Sequence, residues 1–314
     1  MIGYVSKAFF HTLAGSQSLK RLASRYGMRN RNSFARRFIA GETVDEAIAA
    51  VRTIEAAGLM HTLDLLGESV HTMTEADAAT RAYLTTMDRV VSAGIGRGLS
   101  LKLTQLGLTI DRATCVDNLR RILDRAGAGD FFVRVDMEDS PFTQVTLDVF
   151  ETMWQQGYRN VGIVLQSCLR RTRADAERMI QLGASVRLVK GAYKEPKRVA
   201  YQRKSEVDSS FVQLMELLLS SGRPHHAIAT HDPAMIDATR QFASARALPP
   251  DGFEFQMLYG IRRDLQARLR DAGYRVRVYV PFGREWFPYF MRRLGERPAN
   301  VAFVIRGLLS ERHP

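Results

Sequence analysis

The chain is poor in cysteine, and its first 41 residues contain no acidic residue. The two cysteines, Cys115 and Cys168, argue against a disulfide scaffold and fit a reducing compartment. No apolar run of about 18 residues is present, so we expect no transmembrane helix, and the N-terminus lacks the apolar core of a secretory signal. Residues 1 to 41 carry eight Lys or Arg, which is typical of a basic surface helix and leaves an organelle transit peptide as an alternative.

The sequence also lacks a recognisable nucleic-acid-binding motif, although its formal net charge is +12. Such a charge indicates attraction to nucleic acid, to an acidic membrane surface or to a phosphate-bearing cofactor. The basic residues are not interleaved with aromatic residues and form no known reader fold. A basic nucleic-acid-binding protein is therefore the weakest alternative, and we expect no nucleic acid as partner.

Metal-ligand spacing is absent as well. The seven histidines, at positions 11, 61, 71, 225, 226, 231 and 313, form no HExxH or similar pattern. On a strand, His225 and His226 would point to opposite faces and could not bind one metal ion. We expect no metal site.

Strand-like runs alternate with helical patterns along the chain. The eight runs are HTLDLLG (61–67), LSLKLTQLG (99–107), FFVRVDME (131–138), NVGIVLQS (160–167), SVRLVKGA (185–192), HHAIATHD (225–232), FEFQMLYG (253–260) and VRVYVPFG (276–283). This alternation predicts parallel strands joined by right-handed crossovers, and eight strands can close a barrel. An open doubly wound sheet is the competing fold, but the glycines of GIGRGLS (94–100) precede a strand instead of linking a strand to a helix.

Most of the predicted strands finish in polar or reactive residues. These are Lys102, Asp136, Glu138, Gln166, Arg187, Lys190, Thr230, His231, Gln256 and Tyr279. In a closed barrel the strand ends meet at one mouth, where the active sites of this fold are built. Polar groups interrupting so many apolar strands cost more than stability requires, so the sequence predicts a site at the C-terminal mouth.

Two lysines leave a choice of chemistry open. Lys102 and Lys190 lie inside predicted strands, where a desolvated lysine can lose its proton and attack a carbonyl. This would make the chain a Schiff-base aldolase of the barrel class. Alternatively, each lysine stays protonated and binds an anion at the mouth.

The stretch FPYFMRRLGERP (287–298) predicts a helix with one charged side. Tyr289, Arg292, Arg293 and Glu296 fall within an arc of about 100°. Phe287, Phe290, Met291 and Leu294 occupy the opposite side and can pack on a core. The charged side therefore carries two neighbouring guanidinium groups, a phenol and a carboxylate, and the helical pattern alone leaves open what the two arginines bind.

Four motifs resemble the proline dehydrogenase family, in particular its compact bacterial monofunctional form. They are RLVKGAY (187–193), ATHD (229–232), FEFQMLYG (253–260) and VYVPFGREWFPYFMRRL (278–294). The likeness runs from about Leu59 to Arg306, in the family's order and spacing. It implies a distorted (βα)8 barrel holding FAD, with the last barrel helix over the mouth. The implied reaction, the first step of proline catabolism, oxidises L-proline to 1-pyrroline-5-carboxylate by hydride transfer to FAD N5, and electrons then pass to a membrane quinone.

The resemblance also assigns substrate contacts. It implies that Arg292, Arg293 and Lys102 hold the proline carboxylate, and that Glu68 pairs with Arg292 and helps to close the site. Glu296, one turn after Arg292, would steady that arginine. The residues that enclose the pyrrolidine ring would be Tyr279, Tyr289 and Leu258.

The cofactor contacts follow in the same way. The resemblance places Arg187 beside flavin N5 and makes Asp136 the active-site aspartate of the third strand. Further FAD contacts would be Met137, Gln166, Lys190, Gly191, Ala192, Thr230 and His231, with Arg203 near the cofactor. Lys194 departs from the long bifunctional relatives, which have Trp there, and this puts adenine stacking at that position in doubt.

One structural domain is expected. Residues 1–58 would form a helical segment packed on the barrel, and residues 59–314 the catalytic barrel with its C-terminal helix. The resemblance implies a cytoplasmic protein that contacts the inner face of the cell membrane peripherally, where the acid-free N-terminal segment could rest on anionic lipid. It also implies a partnership with 1-pyrroline-5-carboxylate dehydrogenase.

Overall fold

Eight parallel strands form a closed barrel in a computed structural model, which describes residues 34–67, 69–222 and 225–296. The strands are β1 (Met60–Leu65), β2 (Gly98–Leu101), β3 (Phe132–Val135), β4 (Val161–Gln166), β5 (Val186–Val189), β6 (Ala227–Ala229), β7 (Glu254–Leu258) and β8 (Arg275–Phe282). Each pairs with the next in the chain, and β8 closes the barrel on β1, with Met60 opposite Arg277. The predicted barrel is confirmed, and the open sheet is excluded.

The α-helices of the described residues are α1 (Val44–Ala56), α2 (Met73–Ala93), α3 (Arg112–Ala128), α4 (Ser140–Gln155), α5 (Thr172–Leu182), α6 (Lys204–Leu219), α7 (Pro233–Ala245), α8 (Arg263–Asp271) and α9 (Trp286–Glu296). Helices α2 to α8 connect successive strands, while α1 precedes β1 and α9 follows β8. Thr43 and Thr72 begin α1 and α2 with capping boxes, each pairing with a glutamate three residues later. Gly94 and Gly183 end α2 and α5 in the left-handed conformation. Helix α1 packs on β1 and β8.

A second, smaller core places the last helix at the mouth. Its buried residues are Ala35, Phe38, Ile39, Leu66, Trp286, Phe287, Tyr289 and Met291. They join the short 3-10 helix Phe34–Arg37 to α9. The Trp286 Nε1–H donates to Glu42 Oε1 at 2.9 Å. The predicted apolar side of α9 is therefore the side that anchors it.

Several predicted strands end earlier in the structure. Strand β2 ends at Leu101, because Lys102 begins the 3-10 helix Leu103–Leu106, and β5 ends at Val189. Lys102 and Lys190 thus lie one residue beyond their strands, and their predicted positions inside strands are wrong. The prediction for the two adjacent histidines also needs correction, since both precede β6.

The expectations of no transmembrane helix and no metal site can be compared only with the described residues. Across residues 34–67, 69–222 and 225–296, no helix is long and apolar enough to cross a bilayer. The same ranges contain no group of three or more His, Cys, Asp or Glu that could hold a metal ion. Residues 1–33 and 297–314 lie outside the described residues, so the predicted domain limits at 1–58 and 59–314 stay predictions.

Two buried histidines, His61 and His226, make the stability of the fold depend on pH. The Nδ1 atom of His226 accepts the Val186 N–H at 3.2 Å, and its Nε2 lies 3.2 Å from Ser221 Oγ. The neutral ring therefore carries its proton on Nε2. Burial, together with the nearby charge of Arg134, lowers the pKa of His226 to about 4. His61, also buried, has its pKa lowered by burial to about 4.

We expect the free energy of unfolding to fall when the pH drops from about 6.5 to about 4. A histidine whose folded-state pKa is depressed contributes stability that is present at higher pH, because only the unfolded chain gains the proton in this window. A shift of this size corresponds to at most roughly 3 kcal/mol for each histidine. Chemical denaturation across this range should show a shallower loss for His226→Asn than for the wild-type chain. The exposed His71 provides the control, since His71→Asn should keep the wild-type slope. Equal slopes for all three proteins would contradict the prediction.

Candidate active site

A cavity of about 660 Å³ opens at the C-terminal mouth of the barrel. The residues assigned from the sequence that line it are Lys102, Asp136, Met137, Gln166, Arg187, Lys190, Gly191, Ala192, Thr230, His231, Leu258, Tyr279, Tyr289, Arg292 and Arg293. Strand ends and α9 thus bring together side chains that are almost 200 residues apart in the sequence. The volume lies within the range of about 300–1,000 Å³ that is usual for small-molecule and cofactor sites.

Asp136, directly after β3, is the centre of a hydrogen-bonded network at the floor of this cavity. Its Oδ1 accepts from Arg187 Nη1 at 2.9 Å, and its Oδ2 accepts from the Tyr279 hydroxyl at 2.7 Å. The other Arg187 terminal nitrogen donates to Ser100 Oγ at 3.0 Å. The guanidinium carbon also lies 5.3 Å from the centre of the Tyr279 ring. One carboxylate therefore fixes both the arginine of β5 and the tyrosine of β8.

Lys102 lies between two carboxylates. Its Nζ is 3.4 Å from Asp136 Oδ2 and 3.5 Å from Asp64 Oδ1. Burial acts against the ammonium charge, but the carboxylates of Asp64 and Asp136 outweigh it and raise the pKa of Lys102 well above its usual value. A lysine held in its charged form is a poor nucleophile, which argues against the Schiff-base alternative at this position.

Tyr279 is held as a neutral phenol in the same network. Burial raises its pKa well above the usual value, and the neighbouring carboxylates of Asp136 and Asp64 raise it further. The hydroxyl therefore acts as a hydrogen-bond donor to Asp136 across the accessible pH range.

Lys190 belongs to a second group of charges on another wall. Its ammonium contacts Asp208 Oδ1 at 2.5 Å and Asp232 Oδ2 at 2.7 Å. Lys204, from the first turn of α6, also pairs with both aspartates. Hydrogen bonds from Lys190, helped by Lys204, lower the pKa of Asp232 to about 2. This pairing with two carboxylates also argues against Lys190 as the nucleophile of a Schiff-base aldolase.

The backbone after β5 requires a glycine at position 191. Gly191 has φ of 105°, and a Cβ atom there would overlap the Cys168 sulfur and come within 3.0 Å of Gln166 Oε1. The Gln166 amide is itself fixed by donating to the Glu138 carbonyl at 2.8 Å. The absent side chain is thus explained by the positive φ and by the packing of Cys168 and Gln166.

Thr230 and His231 take fixed orientations after β6. The Thr230 hydroxyl oxygen accepts the Asp232 N–H at 3.1 Å. The Nε2 atom of His231 accepts the Leu258 N–H at 2.8 Å, so this nitrogen carries no proton. The histidine therefore links the ends of β6 and β7 and helps to place Leu258 in the cavity wall.

Helix α9 presents a tyrosine and two arginines to the cavity. Tyr289, Arg292 and Arg293 all line it, while Phe287 and Met291 are buried in the second core. The Arg293 guanidinium carbon lies 5.1 Å from the centre of the Tyr289 ring. A further cavity of about 520 Å³, on the α2 side, shares Lys102, Tyr289 and Arg292 with the first.

Three assigned residues do not enter this arrangement. The Arg203 side chain is 78% exposed, pairs with Glu206 and does not line the cavity, so its predicted place near a cofactor gains no support from the geometry. Glu68 and the side chain of Glu296 lie outside the described residues, and their predicted roles stay predictions.

Four acidic or basic partners were not assigned from the sequence: Asp64, Asp208, Asp232 and Lys204. Asp64 is an acid inside the apolar run HTLDLLG, and that interruption is a signal that could have identified it. Asp208 and Lys204 lie in the first turns of an amphipathic helix, where charged residues are ordinary. No sequence signal distinguishes them.

The site has donors for an anionic or electron-rich ligand. The Nε atom of Arg187 is buried and has no hydrogen-bond partner within the described residues, although its two terminal nitrogens are occupied. A buried donor without an acceptor is costly, so a ligand that supplies an acceptor there would recover that free energy. The cavity volume and this donor fit a large cofactor with polar ring atoms.

Comparisons with known proteins agree with this geometry. The family model for proline dehydrogenase matches residues 47–306. Proline dehydrogenase 1 of Bacillus subtilis strain 168 is 40% identical over 302 residues, which are 96% of this chain and 98% of that protein. Proline dehydrogenase of Deinococcus radiodurans is 41% identical over 281 residues, covering 88% and 90% of the two chains.

A solved structure supports the fold independently. The crystal structure of proline utilization A from Bdellovibrio bacteriovorus, inactivated by N-propargylglycine, matches with a TM-score of 0.78 and 27% identity. The match covers 83% of this chain and 32% of that chain.

Proposed function

Because the chain belongs to the proline dehydrogenase family, we propose that it oxidises L-proline to 1-pyrroline-5-carboxylate with FAD as cofactor and a quinone as electron acceptor. The family membership makes it an oxidoreductase of proline catabolism. The observation that carries the finer proposal is the convergence of Arg292, Arg293 and Lys102 on one cavity whose floor is fixed by Asp136.

The three cations would bind the substrate carboxylate. Guanidinium groups match a carboxylate through two parallel hydrogen bonds, whereas an ammonium acts as a compact point charge. Arg292 and Arg293 approach from α9 above the cavity, and Lys102 approaches from the end of β2. Cations on opposing walls fix both the position and the orientation of a small anion.

The pyrrolidine ring would lie against Tyr279, Tyr289 and Leu258. All three line the cavity, and Tyr279 and Leu258 are held by the hydrogen bonds to Asp136 and from the Leu258 N–H to His231. A fixed apolar enclosure excludes water and keeps the reacting carbon in one orientation. Proline, a rigid ring with one carboxylate, matches this combination.

The remaining cavity residues would hold FAD. Candidates are Met137, Gln166, Lys190, Gly191, Ala192, Thr230 and His231, all of which line the cavity. When bound, FAD supplies the acceptor for a hydride from proline C5 at its N5 atom and passes the electrons to a quinone. Arg187, clamped by Asp136 and Ser100, would direct its buried Nε at the acceptor atoms of the flavin.

We expect purified protein loaded with FAD to lose its visible flavin absorbance when L-proline is added without oxygen. D-proline should cause no such loss, because its carboxylate and C5 cannot meet the cations and the flavin together. A chain that binds no FAD, or whose flavin is not reduced by L-proline, would refute the proposal. Borohydride trapping at Lys102 and Lys190 would then test the Schiff-base alternative.

Replacing either α9 arginine should weaken proline binding while FAD stays bound. A charge-assisted hydrogen bond contributes roughly 1.5–3 kcal/mol, so Arg292→Met and Arg293→Met should each raise the proline Kd by about 10- to 100-fold. Flavin fluorescence should report unchanged FAD affinity. Arg173→Met, on the exposed side of α5 with its partner Glu177, is the matched control and should leave both affinities unchanged. Wild-type proline affinity in both α9 variants would exclude the carboxylate role.

Peripheral membrane contact is proposed from the composition of residues 1–41 alone. Their eight basic residues and lack of acids suit an anionic lipid surface on the inner face of the cell membrane, where quinones are found. Sedimentation with anionic vesicles at low salt should carry the protein down, and neutral vesicles should not. A protein that stays in the supernatant with both kinds would refute the contact.

Delivery of the product to a 1-pyrroline-5-carboxylate dehydrogenase, testable by co-purification, is part of the same proposal.

A further inference from the structure

A buried carboxylate one residue before the end of β1 is part of the site although it does not line the cavity. The Asp64 side chain is 1% exposed, and its Oδ1 lies 3.5 Å from Lys102 Nζ. Its Oδ2 is buried without a hydrogen-bond partner in the described part of the chain. Burying a carboxylate with an unsatisfied oxygen is costly, so stability alone does not explain an aspartate at this position.

The two carboxylates beside Lys102 differ in what else they contact. Asp136 is shared among the Arg187 guanidinium, the Tyr279 hydroxyl and Lys102, and the lysine contact is the longest of the three at 3.4 Å. Much of the charge of Asp136 is therefore engaged by donors other than the ammonium. Asp64 carries no comparable guanidinium pair, so its negative charge acts mainly on Lys102.

We propose that Asp64 is a positioning residue, which keeps the Lys102 ammonium charged and fixed at the cavity floor and thereby sets the affinity of the site for the substrate carboxylate. The proposal rests on the function proposed above, because it assumes that Lys102 meets that carboxylate. Asp64 acts through Lys102 and does not itself line the cavity.

The titratable groups that interact with Asp64 come from four parts of the fold. Lys102 follows β2, Asp136 follows β3, Tyr279 lies on β8, and Tyr83 lies on α2. Burial raises the pKa of Asp64 and the charge of Asp136 raises it further, while the Lys102 ammonium lowers it. Burial also opposes the charge on Lys102, and Asp64 is the strongest of the groups that restore it.

The sign of the expected change follows from this balance. If the charge of Asp64 is removed, burial still disfavours the ammonium, but only the carboxylate of Asp136 remains to favour it. Lys102 would then lose its proton at a lower pH than in the wild-type protein. A neutral amine attracts a carboxylate less strongly, so ligand affinity should fall as the pH rises.

The test measures carboxylate binding apart from the substrate's own ionisation. Cyclopentanecarboxylate has the ring size and carboxylate of proline but no titrating amine, and its binding to FAD-loaded protein can be followed by calorimetry. We expect wild-type affinity to stay constant between about pH 6.5 and about pH 9. For Asp64→Asn we expect a Kd raised by about tenfold at the upper end, with a smaller difference at the lower end.

A double-mutant cycle separates positioning from a structural effect. Lys102→Met should weaken binding at every pH, and adding Asp64→Asn to Lys102→Met should cause no further loss. An additive loss in the double variant would assign Asp64 a role independent of Lys102 and overturn the proposal. So would wild-type affinity and a flat profile in Asp64→Asn, which would mean that Asp64 is already protonated in the working protein.

Two further outcomes keep the proposals apart. If Asp64→Asn does not fold, the smaller Asp64→Ser takes its place. The wild-type pH profile of cyclopentanecarboxylate affinity is a second test, because an affinity that falls before about pH 9 would show that Lys102 is not kept charged. If the wild-type protein bleaches with L-proline and binds cyclopentanecarboxylate but the Asp64 variants behave like it, only the positioning role fails. If the wild-type protein binds neither ligand, the proposed function itself fails.

Discussion

The mouth of this barrel depends on the pairing of buried cations with buried carboxylates. Several cations line the cavity, yet an isolated cation in a barrel interior is strongly disfavoured. Asp136 meets this constraint for Arg187 and shares Lys102 with Asp64, while Asp208 and Asp232 meet it for Lys190. Each of these cations is thereby held in place at the wall of the cavity.

Parallel topology makes this pairing possible. The carboxyl ends of all eight strands meet at one rim, so acids and bases far apart in the sequence become neighbours. Asp64 and Lys102 come from adjacent strands, and Asp136 reaches Tyr279 across 143 positions of sequence. The strands supply rigid positions, and the short turns after them, such as the 3-10 helix after Lys102, direct each side chain.

Pattern and motif were enough to predict the eight strands, the mouth as the site and most of the residues that line it. Period-two and helical patterns are local properties, so the barrel could be predicted from them. The partners of the cations could not be predicted, because only the folded structure brings them together. Asp208, for example, contacts Lys190 only through the placement of helix α6. The predicted strand ends at Lys102 and Lys190 were wrong for a related reason. Each lysine pairs with carboxylates from other parts of the chain, and the turn that allows this pairing has no signature in the local sequence. Arg203 shows the converse case, a basic residue near the right motif whose side chain points to solvent.

Helix α9 is held by a core of its own, and this separates two free energies in the molecule. The barrel is stabilised by one large continuous core, whereas α9 is attached through the eight buried residues that it shares with the 3-10 helix and Leu66. Small apolar clusters open at a lower free-energy cost than the main core of a domain. The arginines and Tyr289 can therefore detach from the mouth in a local opening while Asp136, Arg187 and the strand ends keep their arrangement. Amide exchange should accordingly show α9 opening at a lower free energy than the strands, and equal protection of both would mean that the two cores open as one. Such a division would let a small ligand enter and leave through the movement of one helix, while the strand ends that form the rest of the cavity stay in place.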